Sequence, residues 1–191
     1  MTGTDLVRAQ LRVASGEPLP WTQADLAERG HAIEARIYAE DPANLFMPQA
    51  GPLLLYREPT LPGVRVDSGV AEGGEVPVHY DPLIAKVIAT DETRDRGIAR
   101  LVAALRAYPI LGIRTNTSFL IRVLEHPRFR AGDFHTGFLD EQAASLAEEH
   151  AVEAPPFVRA VLENLPAGCE EAARLQPRDW DPWRRLRAWR V

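Results

Sequence analysis

The chain has 191 residues, a length that suits one ordinary domain or one domain with an appendage. Apolar residues make up 46% and charged residues 26% of it, which is the mix of a soluble globular protein and excludes a disordered chain. A single cysteine, Cys169, excludes a disulfide-stapled or Cys-ligated zinc fold. No apolar run reaches the ~18 residues of a transmembrane helix, and the charged start of the chain lacks the apolar core of a signal peptide. We therefore expect a cytoplasmic protein.

The charge of the chain is mildly acidic, and its basic residues are uneven in type. A net charge of −5 argues against a nucleic-acid-binding domain. Lys86 is the only lysine among 22 basic residues, and all the others are arginines. This skew fits a GC-rich genome, so the presence of an arginine alone says little about function.

The first part of the chain predicts two helices followed by a strand. Apolar residues near helical spacing predict a helix over 5–15 that stops at Gly16, and a short helix over 21–28 follows. Residues 31–40 then alternate, because apolar side chains occupy the odd positions from 33 onwards and largely polar ones the even positions. This period of two predicts a half-buried strand.

The centre of the chain predicts further strands and then helices. Strand-like runs lie at 53–57, 64–67 and 83–90. Glycine and proline separate these runs, and we interpret Gly73-Gly74 as a hairpin turn. The period then becomes helical, which predicts helices over 93–108, 117–125 and 137–148. After residue 149 the composition shifts, and 154–156 (Ala-Pro-Pro) has the character of a linker.

Two segments carry polar residues in unusual places, although no complete catalytic motif is present. The five histidines lack metal-ligand spacing, and the sequence contains neither a Gly-rich phosphate loop nor a G-x-S-x-G turn. In the strand over 31–40, Glu34, Arg36 and Tyr38 share one face. This face is either a solvated surface with an ion pair or a site that holds a guanidinium rigidly beside a cleft.

The second unusual segment is Tyr80 to Lys86, where polar groups lead directly into an apolar strand that contains the only lysine. In the simpler interpretation, Asp81-Pro82 is a turn and Lys86 is a charge on the strand surface. In the other interpretation, these groups serve a functional site.

Five segments, in order and without large gaps, resemble the C-terminal part of biotin carboxylase. They read GHAIEARIYAEDP (30–42), GVRVDSGV (63–70), HYDPLIAKVIA (79–89), GIRTNTSFLIRVLEHPRF (112–129) and GDFHTGFL (132–139). The opening, TGTDLVRAQLRVASGEPLP (2–20), is similar to the helix that follows the ATP-grasp catalytic core in that family. The end, DPWRRLRAWRV (181–191), resembles the start of the linker domain in alpha subunits of methylcrotonyl- or propionyl-CoA carboxylases.

The resemblance implies an α+β fold: a mostly antiparallel sheet with flanking helices, of the barrel-sandwich-hybrid type. Residues 1–149 would form the biotin carboxylase C-terminal domain, with an N-terminal helix over 4–16, a sheet over 30–91 and helices over 93–149. Residues 150–191 would form a linker and the incomplete start of the following domain.

The resemblance also implies an activity, cofactors and partners. Biotin carboxylases are ligases that use MgATP and bicarbonate to carboxylate biotin, which is held on a carrier domain. The implied cofactors are therefore biotin and MgATP. The implied partners are the ATP-grasp part of biotin carboxylase, the biotin carrier domain and the carboxyltransferase subunit of an acyl-CoA carboxylase, with no nucleic acid and no membrane.

Individual residues receive roles from the resemblance. Arg36 falls on the family's catalytic arginine, which holds the ureido oxygen while biotin is deprotonated. Asp81 falls on a position at the biotin end of the site, and Thr136 lies in the segment that approaches the adenine. Arg65 corresponds to a surface used for dimer contacts in some free-standing members, whereas Lys86 receives a structural role. No residue is expected to bind a metal ion.

The departures from the family pattern predict that the isolated chain is inactive. The chain has no counterpart of the ATP-grasp lysines, the metal-binding glutamates, the catalytic glutamate base or the AMKM-type motif that accepts biotin. A site that lacks most of the groups contacting its substrate should not turn over. The alternative is a non-catalytic assembly module, since Trp180 and Trp183 would share a helix face and Trp and Arg are enriched at interfaces. The other interpretation of these residues is an exposed edge of the next domain.

Overall fold

The computed structural model describes residues 1–147 of the chain. The α-helices are α1 (Leu6–Ala14), α2 (Arg94–Arg106), α3 (Thr117–Glu125), α4 (Pro127–Ala131), α5 (Phe138–Glu141) and α6 (Ala143–Leu146). The longer strands are β1 (His31–Tyr38), β6 (Val64–Ser68) and β8 (Leu83–Asp91). The two-residue strands are β2 (Glu40–Asp41), β3 (Met47–Pro48), β4 (Gly51–Pro52), β5 (Leu55–Tyr56), β7 (Glu75–Val76) and β9 (Ile110–Leu111).

The longer strands form one antiparallel sheet in the order β1-β8-β6. The short strands pair as β2-β3, β4-β7 and β5-β9, all antiparallel. The predicted α+β fold, an antiparallel sheet with flanking helices, is confirmed. Within residues 1–147 the strands do not close into a barrel, because each short strand pairs with a single neighbour over two residues and extends no ladder.

The core lies between one face of this sheet and α2. The alternation of β1 buries Ile33, Ala35 and Ile37, as the period of two predicts. The same face of the sheet packs against α2, whose inward side chains include the fully buried Leu101. Within residues 1–147, α2 packs on this face only, and the opposite face of the sheet is partly or fully exposed.

Helix α1 begins where Asp5 caps it, since the Asp5 carboxylate accepts a hydrogen bond from the Arg8 N–H at 3.0 Å. Ala9 is its only buried residue. Its large apolar side chains are more than two-fifths exposed: Leu6, Val7, Leu11 and Val13. Within residues 1–147, the apolar side of α1 therefore has no partner that covers it.

Several boundaries differ from the sequence-based expectation. The helix predicted over 21–28 is a single 3₁₀ turn, Gln23–Asp25. The helix predicted over 137–148 is divided into α5 and α6 at Gln142. Helix α4 is absent from the sequence-based expectation, because a proline such as Pro127 usually ends a helix. Pro127 is instead the first residue of a new helix. A proline is tolerated there because the N–H that it lacks would have no hydrogen-bond partner within the helix.

No helix among residues 1–147 is long and apolar enough to cross a membrane. A turn is present at Gly73-Gly74, closed by a hydrogen bond from the Gly74 N–H to the Ala71 carbonyl at 3.0 Å. It is not the predicted hairpin turn, because β6 before it pairs with β8 and β7 after it pairs with β4. The linker predicted at 154–156, the tryptophan-rich end and the domain predicted over 150–191 lie outside the described residues.

Candidate functional site

The open side of the three-stranded sheet, which we call the open sheet face, carries two of the four predicted site residues, Arg36 and Arg65. Successive side chains of a strand point to opposite faces, so the residues next to core-facing ones lie on this open face. These residues are Glu34, Arg36 and Tyr38 of β1, Lys86 and Ile88 of β8, and Arg65 and Asp67 of β6.

Arg36 is held on this face by its neighbours along β1. Its Nε donates to the Glu34 carboxylate at 2.9 Å, and its side chain is 56% exposed. Hydrogen bonds to Glu34 and then to Tyr38 raise the pKa of the Arg36 guanidinium above its ordinary value. The structure therefore presents a permanent cation on a strand, facing outwards.

The backbone beneath Arg36 is fixed by Asn116, a buried residue that the sequence did not single out. The Asn116 amide N–H₂ donates to the Arg36 carbonyl at 3.2 Å, and its Oδ1 accepts from the Tyr38 N–H at 3.0 Å. The Asn116 N–H also donates to the Tyr38 carbonyl at 3.2 Å. Because β1 is an edge strand, these bonds satisfy the side of the strand that β8 does not pair. No pattern in the local sequence identifies Asn116, because its partners lie about 80 residues away along the chain.

Asp81 lies in a turn at the entrance to β8. Its Oδ1 accepts a hydrogen bond from the Leu83 N–H at 2.8 Å, which is the geometry of an Asx turn. Burial, and then the charge of Asp81, raise the pKa of the Glu40 carboxyl, so the two carboxyls lie near each other at this end of the sheet. In residues 1–147 no hydrogen bond or ion pair joins Asp81 to Arg36.

Arg65 and Thr136 are placed differently. Arg65 lies on the open sheet face, where its Nη2 is 3.1 Å from the Asp67 carboxylate and its side chain is 72% exposed. Thr136 lies outside this face, in the exposed turn between α4 and α5. The structure thus brings Arg36 and Arg65 to one surface, while Asp81 borders it and Thr136 does not reach it.

An open cavity of about 580 Å³ lies away from these residues, at the start of β1 and the end of β8. Its most buried charged group is the Asp91 carboxylate, 5% exposed, which pairs with Arg96 at 3.1 Å and Arg100 at 2.6 Å. Since both guanidiniums come from α2, this cluster ties the helix to the sheet. It contains none of the predicted site residues.

An antiparallel sheet covered on one face by a helix is the fold expected of a biotin carboxylase C-terminal domain. The chain matches the family model "Biotin carboxylase C-terminal domain" over residues 34–141, and it belongs to that family. The family predicted from the sequence motifs is thereby confirmed.

Relatives of known name place the chain among biotin-dependent carboxylases. It is 46% identical over 152 residues to the mitochondrial methylcrotonoyl-CoA carboxylase subunit alpha of Mus musculus, covering 79% of this chain and 21% of that protein. It is 46% identical over 140 residues to biotin carboxylase 1 of Bacillus subtilis (strain 168), covering 73% of this chain and 31% of that protein.

Solved structures agree with this assignment. A biotin carboxylase domain of a thermophilic 2-oxoglutarate carboxylase bound to bicarbonate superposes with a TM-score of 0.72 at 36% identity, covering 78% of this chain and 34% of that one. A complete multifunctional pyruvate carboxylase from Rhizobium etli gives a TM-score of 0.72 at 32% identity, covering 80% of this chain and 16% of that one. The chain therefore spans less than two thirds of the length of these relatives.

Proposed function

We propose that this chain supplies part of the biotin site of a biotin carboxylase, which carboxylates carrier-bound biotin with ATP and bicarbonate. The observation that carries the proposal is Arg36, an outward-facing guanidinium on a strand whose backbone is held by buried Asn116. A ureido N–H is a poor acid, so its deprotonation needs a fixed cation where negative charge develops on the oxygen. Arginine stays protonated and donates through a planar fork, and a strand positions it more rigidly than a loop does.

The other predicted residues take supporting roles in this proposal. Asp81 borders the biotin end of the site, where its Asx turn fixes the entrance to β8. Arg65 contributes to an interface with another subunit or domain, which its 72% exposure permits. Thr136 lies near the adenine of bound ATP, a role for which its exposed turn is accessible.

Biotin fits the donor set of the open sheet face, because Arg36 has exposed N–H groups that can donate to a carbonyl-type oxygen. Among residues 1–147, no group of three or more His, Cys, Asp or Glu side chains is placed to hold a metal ion. We assign MgATP mostly to the ATP-grasp part of the enzyme, which supplies the phosphate chemistry. The biotin carrier domain and the carboxyltransferase subunit complete the proposed set of partners.

The domain division and location belong to the same proposal. Residues 1–149 act as the C-terminal domain, and residues 150–191 lead into a following one. A cytoplasmic location is proposed, while some relatives, such as the mouse subunit, are named as mitochondrial.

A non-catalytic assembly module is the second candidate. The exposed apolar side of α1 favours it, because such a surface suits docking to another domain. The two candidates differ in one respect: only a biotin carboxylase requires Arg36 for ATP turnover.

The test combines the full 191-residue chain with the ATP-grasp part of Bacillus subtilis biotin carboxylase 1 and measures biotin-dependent ATP hydrolysis. We expect neither part to be active alone and the mixture to be active. Arg36→Ala should lower this activity about 100-fold or more, as expected for loss of a group that stabilises developing charge. If the parts do not co-elute, they are joined in one polypeptide and measured again.

Arg106→Ala is the matched control. Arg106 is an exposed arginine paired with a single glutamate, Glu125, at 2.7 Å, much as Arg36 is paired with Glu34, but it lies on α2. This variant should keep full activity. A joined protein that is folded but inactive would contradict the catalytic proposal and favour the assembly module, and activity insensitive to Arg36→Ala would contradict the role of Arg36.

A further inference from the structure

Lys86 occupies the centre of the open sheet face. On middle strand β8 it pairs in register with Arg36 of β1 on one side and with Asp67 of β6 on the other. Side chains of directly opposed residues have Cβ atoms about 5 Å apart and lie on the same face. The flexible side chain of Lys86 can therefore place its ammonium group in the space in front of the Arg36 guanidinium.

The charges on this face are paired except for Lys86. Arg36 is bonded to Glu34 at 2.9 Å, and Arg65 to Asp67 at 3.1 Å. Lys86 makes no hydrogen bond or ion pair with any residue in 1–147, although its side chain is half-buried. The open sheet face thus carries three cations and two carboxylates, and the unpaired positive charge is the one beside Arg36.

Arg36 and Lys86 are like charges in register and repel each other, while the carboxylates nearest to them, Glu34 and Asp67, are already bonded to Arg36 and Arg65. Such a pair is a costly way to build a solvated surface, because like charges opposed across strands destabilise a sheet. Lysine suits the second position, since it is a compact point charge with three rotatable donors beside the planar fork of an arginine. It is also the one place where this chain uses lysine in preference to arginine.

We propose that the Lys86 ammonium and the Arg36 guanidinium together bind one small oxyanion of the carbonyl or carboxylate type. The pair, rather than Arg36 alone, forms the cationic side of the site. The identity of the oxyanion rests on the proposed function: in a biotin carboxylase it is the ureido oxygen, at which Lys86 would add a second donor where negative charge develops.

Because the chain has a single lysine, ¹³C-lysine labelling gives one side-chain Cε resonance that reports on Lys86 without assignment. The full chain is titrated with sodium acetate against sodium chloride at constant ionic strength and pH. We expect the resonance to shift saturably with acetate and not with chloride. Arg36→Ala should weaken the apparent acetate affinity roughly tenfold, the loss of one charge-assisted hydrogen bond. Arg106→Ala should leave it unchanged.

A linear, non-saturating response, or an affinity that is the same in wild type and Arg36→Ala, would overturn the two-cation site.

In the reconstituted enzyme, Lys86→Met should lower kcat with KM for ATP unchanged, and Lys86→Arg should restore part of kcat. A purely structural lysine would instead lower the Tm and leave kcat of the folded fraction intact. If Lys86 responds to acetate but reconstitution fails, the oxyanion site is supported and its assignment to biotin is contradicted. If the reconstituted enzyme is active but Lys86 does not respond to acetate, the proposed function is supported and the oxyanion site is contradicted.

Discussion

Asn116 joins two parts of the chain that are 80 residues apart, and it does so at the residue proposed to bind biotin. Its side-chain amide is the hydrogen-bond partner of the Arg36 carbonyl and the Tyr38 N–H, beside the irregularity in β1 between Ile37 and Tyr38. Asn116→Ala removes both bonds and leaves two part-buried backbone groups, the Arg36 carbonyl and the Tyr38 N–H, without this partner. We expect a loss of about 1–3 kcal/mol in the free energy of unfolding, measured by urea denaturation.

The control is Asn44→Ala, because Asn44 is exposed in the loop after β2. Its change should stay within about 0.5 kcal/mol. Equal losses in the two variants would show that Asn116 does not support the strand beneath Arg36.

Residue-level prediction from the sequence succeeded where the signal was local. The period of two placed Ile33, Ala35 and Ile37 in the core and put Arg36 on the opposite face. The contact from Asn116 could not be predicted this way, since hydrogen bonding between distant segments leaves no trace in the spacing of either. Nor could spacing within β8 alone indicate that Lys86 would pair with Arg36, because strand register depends on which strands become neighbours.

At the scale of elements, the junction of β6, β8 and α2 depends on Gly63. This glycine has φ of +74°, and a Cβ there would lie 2.9 Å from the Thr90 carbonyl oxygen and would also meet the Arg100 guanidinium. Arg100 in turn pairs with the buried Asp91 carboxylate. Gly63→Ala therefore strains the backbone and displaces an arginine that connects α2 to the sheet. We expect it to cost about 2–4 kcal/mol in the free energy of unfolding, from strain and overpacking together.

Gly73→Ala separates these two causes. Gly73 has a nearly identical φ of +76°, but a Cβ there meets nothing within 4 Å. It should therefore cost only the backbone strain, about 1 kcal/mol. Thermal or urea unfolding compares the variants, and a Gly63→Ala protein no less stable than Gly73→Ala would show that the Arg100 contact is dispensable.

The elements themselves were predictable where the pattern was long. The bounds predicted for α3 match those of the structure, 117–125, and β8 extends the predicted strand by one residue. The two-residue strands β3, β4, β7 and β9 were not predicted, because two residues carry no periodicity. Their pairing depends instead on tertiary neighbours, as when β5 pairs with β9 more than 50 residues away.

At the scale of the whole molecule, two surfaces lack a cover within residues 1–147: the open sheet face and the apolar side of α1. Composition predicted a globular core, and the structure contains one between the sheet and α2. What composition could not predict is where that core stops, because an exposed leucine and a buried one contribute equally to the apolar percentage. In the proposed function, the open sheet face holds Arg36 at the biotin site, and the apolar side of α1 is available for docking to another part of the carboxylase.

Helix α1 offers the last test, because its exposed side chains can be changed without touching the core. The double variant Leu6→Gln/Leu11→Gln replaces two side chains that are 65% and 68% exposed. Its Tm should equal that of the wild type. If α1 packs on the ATP-grasp part, each leucine contributes about 1.5–3 kcal/mol when buried there. The Kd for that part, measured by isothermal titration calorimetry, should then rise at least roughly 100-fold.

Val78→Gln is the control, since Val78 is 76% exposed but lies in the loop before β8. A Kd that the α1 variant leaves unchanged would exclude α1 from the interface, and a lower Tm would show that α1 belongs to the core of this chain instead.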